Sequence, residues 1–279
     1  MTNCIGRVGD DTVNLQVLVA TMHRTDLSIA EKMNIRCDAV IANQADREET
    51  VNEKNTYGDI KMITTPTCGV GLNRNIALMA SSADILLFAD DDIVYNDDMP
   101  EKVIEAFEKL PGADVIIFGM DMVKDGVVFE KRETKIQRLH VRNSMRFGTY
   151  RIAVRRSALI NKNITFHQCF GGGCEFSSGE DTLFLKSCFD RGLKVYSYSY
   201  NLGRCSKDTS SWFVGHNEKY FYDKGVLLRN LFPKSAYLMV LYFGINFKRE
   251  TELGVFKRLR LMYSGARNGK KMKPYQGAK

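Results

Sequence analysis

The sequence is poor in proline and tryptophan, and it has no apolar run long enough to cross a membrane. Five prolines in 279 residues, with no Ser/Gly-rich linker, argue against widely separated domains. The apolar stretch at residues 237–247 is too short to span a bilayer. Residues 1–11 are polar, so we expect no N-terminal signal sequence and a cytoplasmic protein.

Cysteine patterns typical of metal sites or disulfide frameworks are also missing. The seven cysteines are scattered and none forms a C-x-x-C pair. Cys169 and Cys174, the closest two, have no second pair that would complete a zinc site. We therefore expect reduced thiols and no cysteine-ligated metal.

Acidic residues are scarce near the C-terminal end. Residues 248–279 contain ten lysines and arginines against two glutamates, a net charge of +8, so the total of +7 leaves about −1 for residues 1–247. A basic tail suits an anionic membrane surface or a nucleic acid, or it keeps the chain soluble. The adjacent residues 237–247 are expected to form either a core helix or an interfacial helix.

Strand and helix patterns alternate through the first half of the chain. The predicted strands are residues 15–21, 38–42, 60–64, 85–89 and 115–118. One predicted helix follows Asp26, and two others cover residues 71–81 and 99–110. Later we expect a hairpin turn at residues 124–127, a helix at residues 179–191 closed by Gly192, a strand at residues 194–198, and helices beyond residue 217. This order predicts an α/β fold with a mostly parallel central sheet flanked by helices and a helical C-terminal extension.

One predicted strand ends abruptly in three carboxylates. Residues 85–89 are apolar, which suits a strand covered on both faces, and Asp90, Asp91 and Asp92 follow directly. Because unpaired buried charges are costly, these side chains must emerge at the carboxyl end of the strand, where open α/β sheets bind ligands. A divalent cation would relieve their repulsion, and in an extended chain Asp90 and Asp92 point to the same side. A solvated acidic turn is the alternative.

Two further polar elements carry weaker signals. Gly179-Glu180-Asp181 begins a helix after the glycine-rich loop at residues 171–173, where a carboxylate can simply cap the helix. Residues 71–75 form a polar, basic element before the acidic strand. On its own this element is a weak phosphate-site signal.

In this order and at these distances, the elements resemble the family 2 glycosyltransferases with the GT-A fold. The matching segments are residues 15–21 (first nucleotide-binding strand), 71–75 (basic helix start), 88–92 (Asp-x-Asp motif) and 179–181 (Glu-Asp base motif). The resemblance covers residues 13–225. It implies a GT-A domain at residues 1–230 and a helical, basic extension at residues 231–279.

The resemblance implies an inverting, metal-dependent transfer of a sugar from a nucleotide-diphosphate donor, expected to be a UDP-sugar, to a hydroxyl acceptor. Asp90 and Asp92 would hold Mn²⁺ or Mg²⁺ against the donor diphosphate, with Asp91 alongside. Asp181 would be the general base that takes the proton of the acceptor hydroxyl. Glu180 would bind the acceptor or position the base.

The same resemblance implies further donor contacts. Thr21, His23 and Arg24 occupy the nucleoside-binding position, and Arg74 would face the diphosphate. The family usually has an acidic residue after the second strand, whereas this chain has Asn43-Gln44-Ala45-Asp46. Asn43 or Asp46 is therefore expected to contact the base or the ribose.

Acceptor and metal contacts complete the implied site. Gly172 and Gly173 would give the acceptor site a flexible backbone, and Trp212 would stack on a sugar face. His216 would be a third metal ligand, which suits Mn²⁺ better than Mg²⁺. For Trp212 and His216, ordinary packing roles are the alternative.

From the resemblance we expect the acceptor to be a glycan or a lipid-linked sugar of surface polysaccharide or glycolipid synthesis. The basic, aromatic C-terminal end leads us to expect a location on the cytosolic face of a membrane.

Two other classes of protein are the alternatives. Nucleotidyltransferases usually carry a glycine-rich, lysine-containing loop after the first strand, and residues 22–26 contain no glycine. A nucleic-acid-binding module should be basic throughout, but residues 1–247 are nearly neutral, so we expect no nucleic acid partner.

Overall fold

A computed structural model of the chain describes residues 5–8, 11–132, 135–206 and 215–272. Strands and helices alternate as the sequence predicted. The strands are β1 (Ile5–Val8), β2 (Asp11–Met22), β3 (Asp38–Gln44), β4 (Glu49–Lys54), β5 (Asp59–Thr65), β6 (Ile85–Asp90), β7 (Ile93–Tyr95), β8 (Val115–Lys124), β9 (Val127–Arg132), β10 (Gln137–Arg138), β11 (Ile152–Arg155) and β12 (Val195–Ser206). The helices are α1 (Ser28–Lys32), α2 (Val70–Ala80), α3 (Met99–Lys109), α4 (Val141–Ser144), α5 (Arg156–Asn161), α6 (Glu180–Asp190), α7 (Glu218–Leu231), α8 (Ala236–Ile245) and α9 (Val255–Asn268), with 3₁₀ turns at Thr149–Arg151 and Gly269–Lys271.

The strands form one open sheet in the order β10-β12-β8-β11-β6-β2-β3-β5-β4. Its centre is parallel: β2 pairs with β3 and β6, β3 pairs with β5, and β8 pairs with β12. The sheet is nevertheless mixed, because β11 runs antiparallel between β6 and β8, and β4 is an antiparallel edge strand. The predicted fold class is confirmed, and the antiparallel strands β4 and β11 are the detail that the sequence pattern did not predict.

The apolar residues of β6 divide between two cores, one on each face of the sheet. Leu86 and Phe88 pack in one core, while Leu87 and Ala89 pack in the other. All four side chains are fully buried, as expected for a central strand. Burial of each large side chain stabilises the fold by about 1.5–3 kcal/mol. A charged side chain is therefore tolerated only where the strand leaves the core. That point is Asp90, the last residue of β6.

The hairpin turn and the helix stop were predicted correctly. Asp125 and Gly126 both have positive φ, as the tight turn between β8 and β9 requires. Gly192 has a φ of +81° and directly follows the C-cap of α6.

The last three helices pack on one another. Two glycines allow α7 and α9 to approach closely: a Cβ on Gly225 would lie 2.1 Å from the Met262 carbonyl oxygen, and one on Gly265 would lie 2.0 Å from that of Tyr222. The boundary predicted at residues 230 and 231 falls in the last turn of α7. In the described part of the chain, no helix combines the length and apolar character needed to cross a membrane.

Candidate active site

The start of α2 is fastened to the carboxyl ends of the central parallel strands. The buried Asn73 side chain donates to the carbonyl oxygens of Thr21 (3.1 Å) and Ala42 (2.8 Å), at the ends of β2 and β3. Ala20 of β2 pairs in register with Asp90 of β6. The first turns of α2 therefore lie beside the acidic end of β6.

Arg74 joins three carboxylates that are far apart in sequence. Its Nη2 atom donates to Asp90 Oδ1 at 2.7 Å, and its Nη1 atom donates to Glu180 Oε1 and Asp181 Oδ1, both at 3.2 Å. The side chain is only 5% exposed, and its guanidinium lies 5.5 Å from the centre of the Phe166 ring. Burial opposes the charge of Arg74, but the carboxylates outweigh it and raise the pKa of the guanidinium. We call Arg74, Asp90, Glu180 and Asp181 the arginine cluster.

Asp181 has the environment of a proton acceptor that works near neutral pH. Burial raises the pKa of its carboxyl, and the charge of Glu180 raises it further. Arg74 and the hydroxyl of Thr149, which donates to Asp181 Oδ1, act in the opposite direction. Glu180 accepts a hydrogen bond from the Gly179 amide at 3.1 Å in addition to the one from Arg74. The first turn of α6 thus presents the Asp181 carboxyl, which has a raised pKa, and the Glu180 side chain, which orients Arg74.

The other two acids at the end of β6 have different surroundings. Asp91 turns toward the end of β2, where it accepts from the Thr21 hydroxyl and from Arg24 Nη2 at 2.8 Å. For Asp92, burial and then the nearby charge of Asp90 raise the pKa to about 6. Asp91 thus forms an ion pair with Arg24, whereas Asp92 lies close to the other two carboxyl groups.

The predicted donor residues around Asn43 have local structural partners. Asn43 is fully buried: its Oδ1 accepts from the Arg24 amide at 3.0 Å, and its Nδ2 donates to the Arg24 carbonyl at 2.9 Å. It therefore fixes the loop that carries Arg24 against the end of β3. His23, with a φ of +57°, follows the carboxyl end of β2, and Asp46 follows that of β3; both side chains are exposed.

The glycine loop at residues 171–173 packs against both α2 and α6. The Val70 amide donates to the Gly172 carbonyl at 2.9 Å, and the Cys68 thiol donates to the Gly173 carbonyl at 3.2 Å. Gly171 has a φ of +106°, and a Cβ there would lie 2.8 Å from the Glu180 side chain. Glycine is required here because the loop backbone approaches the arginine cluster closely.

The sequence model described as Glycosyl transferase family 2 matches residues 20–175, which is more than half of the chain. The chain belongs to glycosyl transferase family 2. It is therefore a glycosyltransferase, and this membership argues against the nucleotidyltransferase and nucleic-acid-binding alternatives. No curated protein sequence matches this chain.

Solved structures support the fold of this family 2 enzyme. The crystal structure of S. aureus TarS 1-349 in complex with UDP-GlcNAc superposes with a TM-score of 0.56 at 14% identity, covering 92% of this chain and 73% of that chain. TarS 1-349 in complex with UDP gives a TM-score of 0.55 at 16% identity, with 92% and 72% covered. At this level of identity the likeness shows the fold alone, which is the predicted GT-A fold.

His216, which the family 2 resemblance implies as a metal ligand, is not part of the arginine cluster. His216 precedes α7, where its Nδ1 lies 3.0 Å from the Glu250 carbonyl oxygen and its ring packs edge-on against Tyr220 and Phe247. Across the described ranges, no three His, Cys, Asp or Glu side chains are grouped to hold one metal ion, so His216 does not form a triad with Asp90 and Asp92. Trp212 lies outside the described residues.

Sequence reasoning about this family 2 enzyme missed two residues of the site. Thr149, which is fully buried, contacts the carboxyl of Asp181 from a 3₁₀ turn. Phe166 lies under Arg74, and its backbone is held by Asn75 of α2 through two hydrogen bonds of 2.8 and 2.9 Å. Thr149 follows a polar, poorly periodic stretch that gave no signal, whereas Asn75 was part of the basic element that the sequence singled out.

Proposed function

We propose that the enzyme transfers a sugar from a UDP-sugar to a hydroxyl acceptor, with inversion at the anomeric carbon. One observation carries this proposal: the arginine cluster brings the acidic end of β6 and the first turn of α6 to a single guanidinium. This arrangement supports a mechanism in which the group that would bind the leaving diphosphate lies next to the group that would accept a proton. The UDP-GlcNAc and UDP bound to TarS support the choice of a uridine nucleotide.

The mechanism assigns the proton to Asp181. The acceptor oxygen forms a bond to the anomeric carbon while the bond from that carbon to the diphosphate oxygen breaks on the opposite side. The hydroxyl proton passes to the Asp181 carboxylate, whose raised pKa makes it a stronger base than an ordinary aspartate. Glu180 keeps Arg74 in place, and Thr149 orients the carboxylate that receives the proton. A single displacement of this kind inverts the anomeric centre.

We propose that a divalent cation shared with the donor binds at the end of β6. Asp90 and Asp92 are close enough for the charge of one to raise the pKa of the other. Mg²⁺ and Mn²⁺ in such sites are often held by one or two carboxylates together with substrate phosphates and water, which suits a place where two carboxyl groups lie near each other. Asp90 and Asp92 would hold the ion, which would offset the charge on the departing nucleoside diphosphate.

The donor contacts are proposed at the ends of β2 and β3. Thr21, Arg24 and Asn43 are linked by hydrogen bonds and line the strand ends beside Asp91, with His23 and Asp46 exposed nearby. In a doubly wound sheet this edge is where nucleotides bind. Arg74 would reach the diphosphate from the arginine cluster.

The acceptor is proposed to be a glycan or a lipid-linked sugar of surface polysaccharide or glycolipid synthesis. The carbonyl groups of Gly172 and Gly173 accept hydrogen bonds from the segment at the start of α2, and the acceptor would approach Asp181 over this loop. We also propose that the enzyme works as a peripheral protein next to a membrane, where lipid-linked sugars are found.

A thermal-shift screen of nucleoside diphosphates and their sugars, with and without Mn²⁺, tests the donor. A ligand at about 100 times its Kd stabilises the fold by about 2.7 kcal/mol, which is easily measured. We expect UDP and one UDP-sugar to raise Tm more in the presence of Mn²⁺. The absence of any shift with uridine nucleotides, or a shift with another base, would refute the donor. Nuclear magnetic resonance of the product then reads the anomeric configuration.

A further inference from the structure

Helix α8 exposes its large apolar side chains and buries its small ones. Ala236, Val240 and Gly244 are the buried residues of its ten. The exposed residues are Tyr237, Leu238, Leu241, Tyr242, Phe243 and Ile245. This pattern is the reverse of a helix that packs on a core with a polar outer side. An exposed apolar surface of this kind marks an interaction site.

The start of α9 extends this apolar surface. The two helices run antiparallel, because Tyr263 stacks on Tyr237 with ring centres 5.7 Å apart and Leu259 lies against Gly244. Phe256, one turn before Leu259, is 90% exposed, and Val255 is also exposed. We call the exposed apolar residues of α8 together with Val255 and Phe256 the α8–α9 face.

Cations surround the α8–α9 face. Lys224 lies 6.0 Å from the centre of the Phe243 ring, and Arg229 lies 6.0 Å from that of Tyr237. Lys248, Arg249 and Arg260 are exposed in the segment that follows α8 and in α9. Residues 248–272, which include α9, contain eight lysines and arginines against two glutamates, so the electrostatic complement of this part of the chain is anionic.

We propose that the α8–α9 face docks on an anionic phospholipid bilayer, with α8 lying in the interface. Apolar and aromatic side chains surrounded by lysine and arginine are the composition of helices that lie on membranes. A ten-residue helix is about 15 Å long, so it lies on a bilayer rather than crossing it. A second copy of the chain is disfavoured, because a twofold interface would place the basic surroundings against themselves. The inference rests on the peripheral membrane location in the proposed function, but it does not depend on the donor or the acceptor.

Vesicle flotation of the full chain tests this proposal without any activity measurement. The wild type should float with vesicles of phosphatidylcholine mixed with phosphatidylglycerol, and far less with phosphatidylcholine alone. Replacing both Leu238 and Phe256 by serine should lower the partition coefficient at least about tenfold, because two exposed apolar anchors are lost. Replacing Lys248 and Arg249 by glutamine should lower it about fivefold for each charge.

Matched controls use exposed residues outside this face. Met79→Ser removes an exposed apolar side chain from α2, and a double variant with glutamine at Lys32 and Lys194 removes two exposed charges. Both should float like the wild type. Failure of the wild type to bind anionic vesicles, or equal binding of the Leu238/Phe256 variant, would overturn the proposal. The same substitutions converting a dimer to a monomer in sedimentation, without loss of flotation, would also overturn it in favour of a second copy.

Discussion

Replacing Arg74 by alanine should destabilise the fold in a way that depends on pH. Its guanidinium donates to three carboxylates and is almost fully buried. A hydrogen bond to a charged group contributes about 1.5–3 kcal/mol, and removing one partner of a buried ion pair costs about 3–5 kcal/mol. Three separate bonds do not add fully, because the freed carboxyls take up protons or water. We therefore expect a loss of about 3–5 kcal/mol near neutral pH, or roughly 10 °C in Tm.

The pH dependence distinguishes this electrostatic effect from lost packing. Without Arg74, the pKa of Asp181 rises further above its unfolded value, so its ionised form destabilises the folded state. This penalty is largest above that raised pKa and disappears as pH falls through it. The difference from wild type in urea unfolding should thus be larger at about pH 8 than at about pH 5.

Arg151→Ala provides the matched control for this measurement. Arg151 is also buried, but its guanidinium donates to the backbone carbonyls of Phe118 (2.6 Å) and Arg132 (3.0 Å). Its removal should cost stability by a similar amount at both pH values. A loss in Arg74→Ala below about 1 kcal/mol, or one that does not change with pH, would refute the reasoning about the arginine cluster.

Three further variants test individual parts of the site. Thr149→Val should move the acid limb of the pH profile of kcat/KM to higher pH, because the Thr149 hydroxyl lowers the pKa of Asp181. Thr149→Ser keeps a hydroxyl and should leave the limb in place, and an unmoved limb in Thr149→Val would contradict this role of Thr149. Asp92→Ala should weaken Mn²⁺-dependent UDP binding in calorimetry at least about tenfold, and normal binding in this variant would contradict the metal assignment. Binding to the wild type should weaken below about pH 6, because the Asp92 carboxyl is then protonated. Gly171→Ala should lower the free energy of unfolding by about 2–3 kcal/mol in denaturant, because a Cβ there meets neighbouring side chains. Gly126 also has a positive φ but open space around it, so Gly126→Ala should cost only about 1 kcal/mol, and equal losses in the two variants would contradict the clash.

The parts of the fold with strong periodicity could be predicted from the sequence. The buried run of β6 and the helix signals at α2 and α6 gave their elements to within one or two residues. The short strand β11 was missed, because four residues are too few to show a period and its direction depends on pairing with β6 and β8. Strand β4 was missed because it is an exposed, polar edge strand.

The proximity of several candidate site residues could be predicted from the sequence, but their contacts could not. The order of the motifs correctly brought Asp90, Arg74 and Asp181 to one place. Arg74 was expected to face a diphosphate, and this stays a prediction. Its contacts with three carboxylates are a tertiary arrangement that no local pattern encodes. Thr149 gave no signal, because a single hydroxyl in an aperiodic segment looks like any other polar residue.

The central claim is that Asp181 accepts the proton from the acceptor, and Asp181→Asn tests it most directly. Asparagine has nearly the same shape and can still accept from Arg74 and Thr149, but it is not a base at neutral pH. The measurement pairs sugar transfer with calorimetric binding of the UDP-sugar in the same variant. The account predicts that transfer falls at least about 100-fold while donor binding stays close to that of the wild type. Transfer within a few fold of the wild type would contradict it.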